Sequence, residues 1–267
     1  MKPNRKPKHA RVIDTFQNTP NMHRIILQSD DFKQLNQSDR GGYIKLMFHP
    51  EGHTDISNLG ECVRPVMRTY TINELDTDAG KVSVDFVIHE LEHASTRNLE
   101  QGGYAIHWAM NAKVGDEIFI GGPGNSQDID FESEQVILVA DMTAIPAMSA
   151  KVALLDENAT GHVVVQLHDE ADKPELALPN GVRLHTVIGH EPQQLADAVA
   201  QLDLISQDIA IWCACEFSAM KAIRTHFKEQ NLIQREKSYF SSYWKQGVTE
   251  DGHKVLKRED AESLQSA

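Results

Sequence analysis

The sequence changes character at Gly121-Gly122-Pro123-Gly124, and that change constrains the fold more than any other feature. Before it, apolar residues come in short stretches: Arg11–Phe16, His23–Gln28, Tyr43–Phe48, Met67–Ile72 and Glu117–Ile120. In a sixth, Val82, Val84, Phe86 and Ile88 alternate with Ser83, Asp85 and Val87, the period of a half-buried strand. Turn formers separate the stretches, as in Asp39-Arg40-Gly41-Gly42, His49-Pro50-Glu51-Gly52 and Asp76-Thr77-Asp78-Ala79-Gly80. Six short strands so punctuated predict a small antiparallel β-barrel.

After the glycine cluster, Val136–Ala140 is continuously apolar, as expected of a strand buried on both faces. Ile145, Met148, Val152 and Leu155 then follow at near-helical spacing, with Pro146 tolerable in a first turn. A strand at His162–Leu167, a helix at Pro192–Leu202, a buried strand at Ile209–Ala214 and a helix at Glu216–Glu229 complete the pattern. Strand and helix in alternation predict a parallel α/β sheet. The expected domains are therefore residues 1–127, β-rich, and residues 128–267, α/β with a C-terminal extension.

A chain of 267 residues suits two modest domains, and 40% hydrophobic residues suffice for their cores. The formal net charge of -13 disfavours nucleic acid and anionic membranes as general partners. No apolar run approaches the roughly 20 residues that cross a bilayer. The basic stretch Lys2, Arg5, Lys6, Lys8 and Arg11 has no apolar segment behind it and reads as a solvated leader. A cytoplasmic monomer is expected. Cys62, Cys213 and Cys215 form no disulfide framework or zinc spacing and read as reduced, mostly buried thiols.

Arg68-Thr69-Tyr70-Thr71 lies on a predicted strand, where Arg68 and Tyr70 share one face. A guanidinium pairs with pyrophosphate, an aromatic ring stacks on an isoalloxazine, and a hydroxyl bonds a flavin nitrogen. Alone, the four residues fit an ordinary cross-strand aromatic with a surface arginine better than a flavin site. The surrounding blocks decide between the two. The chain resembles the siderophore-interacting protein family of ferredoxin reductase-like flavoenzymes at Thr19–Ile25, Arg64–Thr71, Val84–His89, His107–Ala109, Val114–Asp116, Gly121–Gly124, Ala140–Ala147, Trp212–Glu216 and Tyr243–Gly247. The order and spacing of these blocks carry the likeness.

The resemblance implies FAD, with Arg68 on the pyrophosphate, Tyr70 against the ring and Thr71 near its reactive edge. Thr69, Asp85, Val87 and His89 would lie beside it, Val87 and His89 toward ribityl and pyrophosphate. Where the family has Gly-Pro-Ala-Ser-x-Trp-Ala, this chain has Gly103-Tyr104-Ala105-Ile106-His107-Trp108-Ala109 after a longer polar loop, Glu90–Gly102. Ala105 and Trp108 keep their places, whereas a hydroxyl donor is lost at Ile106, leaving backbone amides to cradle phosphate.

No Gly-x-Gly-x-x-Gly loop is present. Instead Asp141, Met142, Thr143 and Ala144 follow a buried strand and open a helix, whose N-terminus offers free N–H groups to a phosphate. Thr143 reads as both helix cap and ligand donor, the plainer alternative being that Asp141 and Thr143 only cap the helix. The resemblance makes this a site for NADH or NADPH, completed by Ala214-Cys215-Glu216. Lys221, Arg224 and Lys228 read as a solvated helix face.

The substrate the resemblance implies is a ferric siderophore, often anionic. Charges 4 Å apart interact by about 4 kcal/mol at an effective dielectric of 20, and distant carboxylates are screened over roughly 8 Å. A few local lysines therefore outweigh the global charge; Lys45 and Lys245 are the candidates. His9, His49, His53, His93 and His107 show no metal-ligand spacing, and no protein-held metal is expected. The expected activity is reduction of Fe(III) in the chelate by NAD(P)H through FAD, releasing iron. A diaphorase for another acceptor and a non-catalytic siderophore carrier share most of these motifs.

Overall fold

Alternation decides which face of each N-terminal strand is buried, and the computed structural model describes residues 7–60, 63–88, 103–125 and 129–265. The chain divides into two units, Met1–Ser126 and Gln127–Ala267. The first contains strands β1 (Lys8–Thr19), β2 (Met22–Gln28), β3 (Tyr43–Phe48), β4 (Val66–Thr71), β5 (Glu74–Asp76), β6 (Lys81–Val87) and β7 (Glu117–Gly124), with helix α1 (Tyr104–Asn111) before β7. In β3, Ile44, Leu46 and Phe48 are buried while Tyr43, Lys45 and Met47 are half-exposed. Burying each such apolar side chain contributes about 1.5–3 kcal/mol. Val82, Val84 and Phe86 of β6 and Ile118 and Ile120 of β7 join the same core.

Two details differ from the sequence expectation. The sheet has seven strands, in the order β4-β3-β7-β1-β2-β6-β5, not six. Only three residues long, β5 carries one partly buried apolar residue, Leu75, and so gives almost no periodic signal. The barrel is also not closed by backbone pairing, because β4 and β5 are both edges. Side chains bring the rolled sheet together instead: the Tyr70 ring of β4 lies 4.4 Å from the Phe86 ring of β6. The basic leader is partly strand, since Lys8 and Arg11 lie in β1 and Arg11 pairs with Glu117 at 2.9 Å.

The second unit contains β8 (Gln135–Asp141), α2 (Ile145–Val152), β9 (Thr160–Leu167), β10 (Gly181–Ile188), α3 (Pro192–Ala200), β11 (Ile209–Glu216), α4 (Phe217–Glu229), β12 (Ser238–Trp244) and α5 (Glu250–Gln265). Its five strands run in the order β10-β9-β8-β11-β12, all parallel. The residues of β8 and β11 are buried throughout, as their unbroken apolar runs require. Gly161 brings β9 against β8: its φ is 142°, and a Cβ there would stand 2.0 Å from the Val136 carbonyl oxygen. Strands β10 and β12 and helix α5 extend the expected pattern. The Arg224 face expected in solvent is not free, because its guanidinium makes two bonds of 2.7 and 2.8 Å to Asp260 of α5.

Packing of α5 on β12 buries His253, which shares a hydrogen bond of 2.7 Å with Ser242 Oγ. Burial first, and the Lys257 ammonium second, push this imidazole from 6.5 down to about 4, against a smaller opposing pull from Glu216. The folded value is depressed, so the unfolded chain takes up the proton first as pH falls. Stability of the α/β unit is therefore whole above pH 6.5 and is lost progressively toward pH 4. Allowing for solvent screening, the loss from this group is about 1–2 kcal/mol. Urea midpoints measured between pH 7.5 and 4.5 should fall for the wild type and fall less for His253→Gln.

Candidate functional site

On the first unit the site is built from the end of β4 and the start of α1. Register places Arg68 opposite Leu46 and Tyr70 opposite Ile44, so both project toward the core face. Thr69 and Thr71 stand opposite Lys45 and Tyr43 on the other face. Tyr70 and Thr71 thus present to opposite sides of the strand. Trp108 of α1 meets Phe48 at 6.1 Å and Phe86 at 6.0 Å, both edge-on, and Phe86 in turn supports Tyr70.

Arg68 is positioned by a residue the sequence reading did not select. Its guanidinium carbon lies 5.2 Å from the centroid of the Tyr104 ring, within cation–π range. One guanidinium N–H donates to the Met67 carbonyl at 3.0 Å. Tyr104 itself is buried, and its hydroxyl donates to the Pro50 carbonyl at 2.9 Å. The signal for it was present: Tyr104 stands where the resemblance has proline.

Tyr104 is also the first residue of α1. Gly103 precedes it as N-cap at φ 84°, with no side-chain cap. The first intrahelical bond is His107 N–H to the Gly103 carbonyl, so the amides of residues 104–106 have no acceptor within the helix. A Cβ at Gly103 would meet nothing within 4 Å among the described residues. Uncapped amides, open space and a guanidinium held over the first helical ring are a donor set that fits a pyrophosphate. Ala105 contributes its backbone here, its side chain being buried.

Asp85 occupies β6 with its carboxylate already engaged. It accepts Arg24 Nε at 2.6 Å and Arg24 Nη2 at 2.8 Å, and Asn73 at 3.2 Å. These bonds tie β6 to β2 through Arg24. Val87 shares its face and is half-buried. His89 lies outside the described residues, as does Glu90–Gly102.

On the second unit, the chain goes from β8 to β9 on one side and returns from β10 to β11 on the other, so the strand order reverses between β8 and β11. Open parallel sheets bind ligands at the carboxyl ends of strands at such a switch point. Asp141 ends β8 and Glu216 ends β11. The Asp141 carboxylate accepts the Thr143 hydroxyl at 2.5 Å, the Thr143 N–H at 2.9 Å and the Trp244 indole at 2.7 Å. Burial pushes its carboxyl upward, and these hydrogen bonds pull it back.

Two helix N-termini flank this crevice, and they differ. That of α4 is closed by Glu216, which accepts the N–H groups of Ser218 and Ala219. That of α2 carries no side-chain cap, its N-cap being Ala144. Capping of α2 by Thr143, alone or with Asp141, is corrected, because the two bond to each other in a turn one residue earlier. The α2 end is therefore the one left to a phosphate.

Lys245, expected beside the substrate, has its ammonium 3.0 Å from Glu216 Oε1 and 2.9 Å from Ser218 Oγ. Its charge is matched in place by a carboxylate only 3% exposed. Lys45 differs: it stands half-buried on β3, with no ion pair among the described residues. Cys213 and Cys215 are buried and free, with sulfurs 3.9 Å apart; Cys62 lies outside the described residues. Two of the histidines that showed no metal-ligand spacing in the sequence come together in the structure. His49, Glu51 and His53 converge, each offering a ligand atom within 4.8 Å of the others. The intervening Glu51 was not considered with the histidines in the sequence.

An antiparallel seven-stranded sheet followed by a parallel five-stranded sheet with helices is the arrangement of the ferredoxin reductase-like fold. Ferredoxin-NADP+ reductase from Plasmodium falciparum shares it at a TM-score of 0.59 and 16% identity, over 89% of this chain and 96% of that one. The siderophore-interacting FAD-binding domain matches residues 11–127. The siderophore-interacting protein domain matches residues 133–247. The chain belongs to the siderophore-interacting protein family, and its first unit is an FAD-binding domain. The siderophore-interacting protein SipS from Aeromonas hydrophila superposes at a TM-score of 0.78 with 27% identity, over 94% of this chain and 98% of that one. Ferric vibriobactin reductase ViuB from Vibrio cholerae is 26% identical over 248 residues, 87% of each chain.

Proposed function

We propose that this chain reduces ferric siderophores in the cytoplasm, taking electrons from NADH or NADPH through FAD and acting as a monomer. The observation that carries the reading is Arg68 held over Tyr104 beside the uncapped start of α1, within a domain whose family binds FAD. The name of ViuB, a ferric siderophore reductase, supports the acceptor. Buried cysteines left unbonded suit a reducing compartment.

Arg68 and the amides at residues 104–106 would hold the pyrophosphate. Tyr70, backed by Phe86, would flank the ring system, and Thr69, Thr71 and Val87 would line the strands beside it, with Asp85 keeping β6 in register. The uncapped start of α2, with Thr143 and Ala144, would take a phosphate of the nicotinamide nucleotide, and Asp141 and Glu216 would shape that crevice. The chemistry a bound flavin supplies is conversion of a two-electron donor into one-electron reduction of Fe(III). Siderophores hold the Fe(II) product far less tightly. Lys45, which has no ion pair among the described residues, would attract the anionic chelate, while Lys245 holds Glu216 in place.

Anaerobic addition of a ferric siderophore to the reduced holoprotein should restore the oxidised flavin spectrum faster than a quinone does. Lys45→Ala should raise KM for the ferric complex several-fold with kcat unchanged, the pattern of lost uniform binding. Faster turnover with quinones would favour a diaphorase. A purified chain that holds no flavin even when FAD is supplied in excess would favour a carrier.

A further inference from the structure

The turn between β3 and β4 carries side chains that neither nucleotide site uses. The Gly52 N–H donates to the His49 carbonyl at 2.9 Å, closing a tight turn in which Gly52 takes a φ of 98°. The chain then doubles back, and the His49 N–H donates to the His53 carbonyl at 2.8 Å. This geometry stacks the two imidazoles with centroids 4.2 Å apart and planes within 12°. The Glu51 carboxylate stands 3.8 Å from His49 Nδ1 and 3.7 Å from His53 Nε2. The Glu51 N–H donates to His49 Nδ1 at 3.2 Å, a bond that a metal ion at that nitrogen would have to displace.

We propose that His49, Glu51 and His53 form a docking site for a divalent first-row transition ion, and that the ion it serves is ferrous iron. Two imidazole nitrogens and one carboxylate select such ions, whereas Mg²⁺ and Ca²⁺ prefer all-oxygen shells. With metal–nitrogen bonds of about 2.0–2.1 Å, the widest-spaced donor atoms must draw together by up to roughly 1.5 Å. Glu51 and His53 are free to do so, their side chains being 78% and 51% exposed, while His49, at 21%, is the fixed point. Three protein ligands leave the remaining positions to water, so the ion exchanges readily.

The ferrous assignment rests on the reductase reading; the site itself does not. Its location motivates the link. The Pro50 carbonyl, inside the turn, accepts the hydroxyl of Tyr104, whose ring lies under Arg68. One side chain therefore joins the metal turn to the flavin anchor. A labile site there would receive Fe(II) as its chelator lets go.

The test uses the untagged, FAD-loaded full chain under anaerobic conditions, titrated with Co(II) and followed by visible d–d absorption. One equivalent should bind. The double variant H49A/H53A should weaken binding at least about tenfold, the scale set even by the loss of an outer-sphere partner, with flavin content unchanged. Fe(II) competition against a ferrous-specific chelating dye should show slower capture by the dye with wild type than with the variant. No Co(II) binding, or binding indifferent to the double variant, overturns the site. Co(II) binding without Fe(II) protection overturns the ferrous assignment. Failure of ferric siderophores to reoxidise the flavin, with Co(II) still bound at the turn, strikes the reductase reading and the ferrous assignment resting on it while the metal site stands.

Discussion

Arg68→Ala is expected to yield a folded chain that loses FAD on desalting, its affinity for the cofactor reduced about 100-fold. A hydrogen bond to a charged group contributes about 1.5–3 kcal/mol, and each 1.4 kcal/mol is tenfold in affinity. Two guanidinium bonds to a pyrophosphate are thus enough for the stated loss. Arg68 is prepared for them by the Tyr104 ring and the Met67 carbonyl, so little freedom remains to be lost on binding. Arg68→Lys keeps the charge but not the planar fork, and should fall between the two. Tyr104→Leu should weaken FAD by a smaller factor, since a cation–π contact is worth about 0.5–2 kcal/mol. The measurements are the flavin-to-protein ratio after gel filtration and fluorescence titration of the apoprotein, with far-UV circular dichroism to verify folding. Full flavin content in Arg68→Ala would remove Arg68 from the anchor.

The parts of the molecule legible in the sequence are those where one physical cause acts alone. Ile44, Leu46 and Phe48 alternate because only one face of β3 is buried, and Val136–Ala140 does not alternate because both faces of β8 are buried. The α1 helix was hidden because its eight residues follow Gly103, whose left-handed φ gives an N-cap without a capping side chain. Strand β12 was hidden because Ser238, Ser241 and Ser242 break its apolar pattern, and the buried Ser242 hydroxyl is satisfied by a bond to His253, distant in sequence. Residue types at the site could be read, but not their partners. Nothing local to Lys245 shows that Glu216 claims its ammonium, and nothing local to Asp85 shows that Arg24 claims its carboxylate. Long-range pairing of this kind is written in the fold.

That second pairing sets the largest stability effect expected in the first unit. Register places Arg24 of β2 opposite Asp85 of β6, and the pair meets in the two-bond fork with side chains only 18% and 7% exposed. Removing one partner of a buried pair leaves an uncompensated charge, which typically costs 3–5 kcal/mol. Arg24→Leu should therefore destabilise the unit by about 3–5 kcal/mol, with only Asn73 left on the carboxylate among the described residues. The exposed pair Arg11–Glu117, at 63% and 45%, is the control: Arg11→Ala should shift stability by about 1 kcal/mol or less. The double variant R24L/D85L discriminates between a structural and a ligand role. Replacing a whole buried pair by apolar groups is often neutral, so most of the lost stability should return. Chemical denaturation must be run at one fixed FAD concentration, because a ligand of the folded state raises the apparent midpoint. If the double variant recovers stability but not FAD affinity, Asp85 acts on the cofactor beyond its bond to Arg24. Recovery of both confines it to holding β6, and through Phe86 to backing Tyr70.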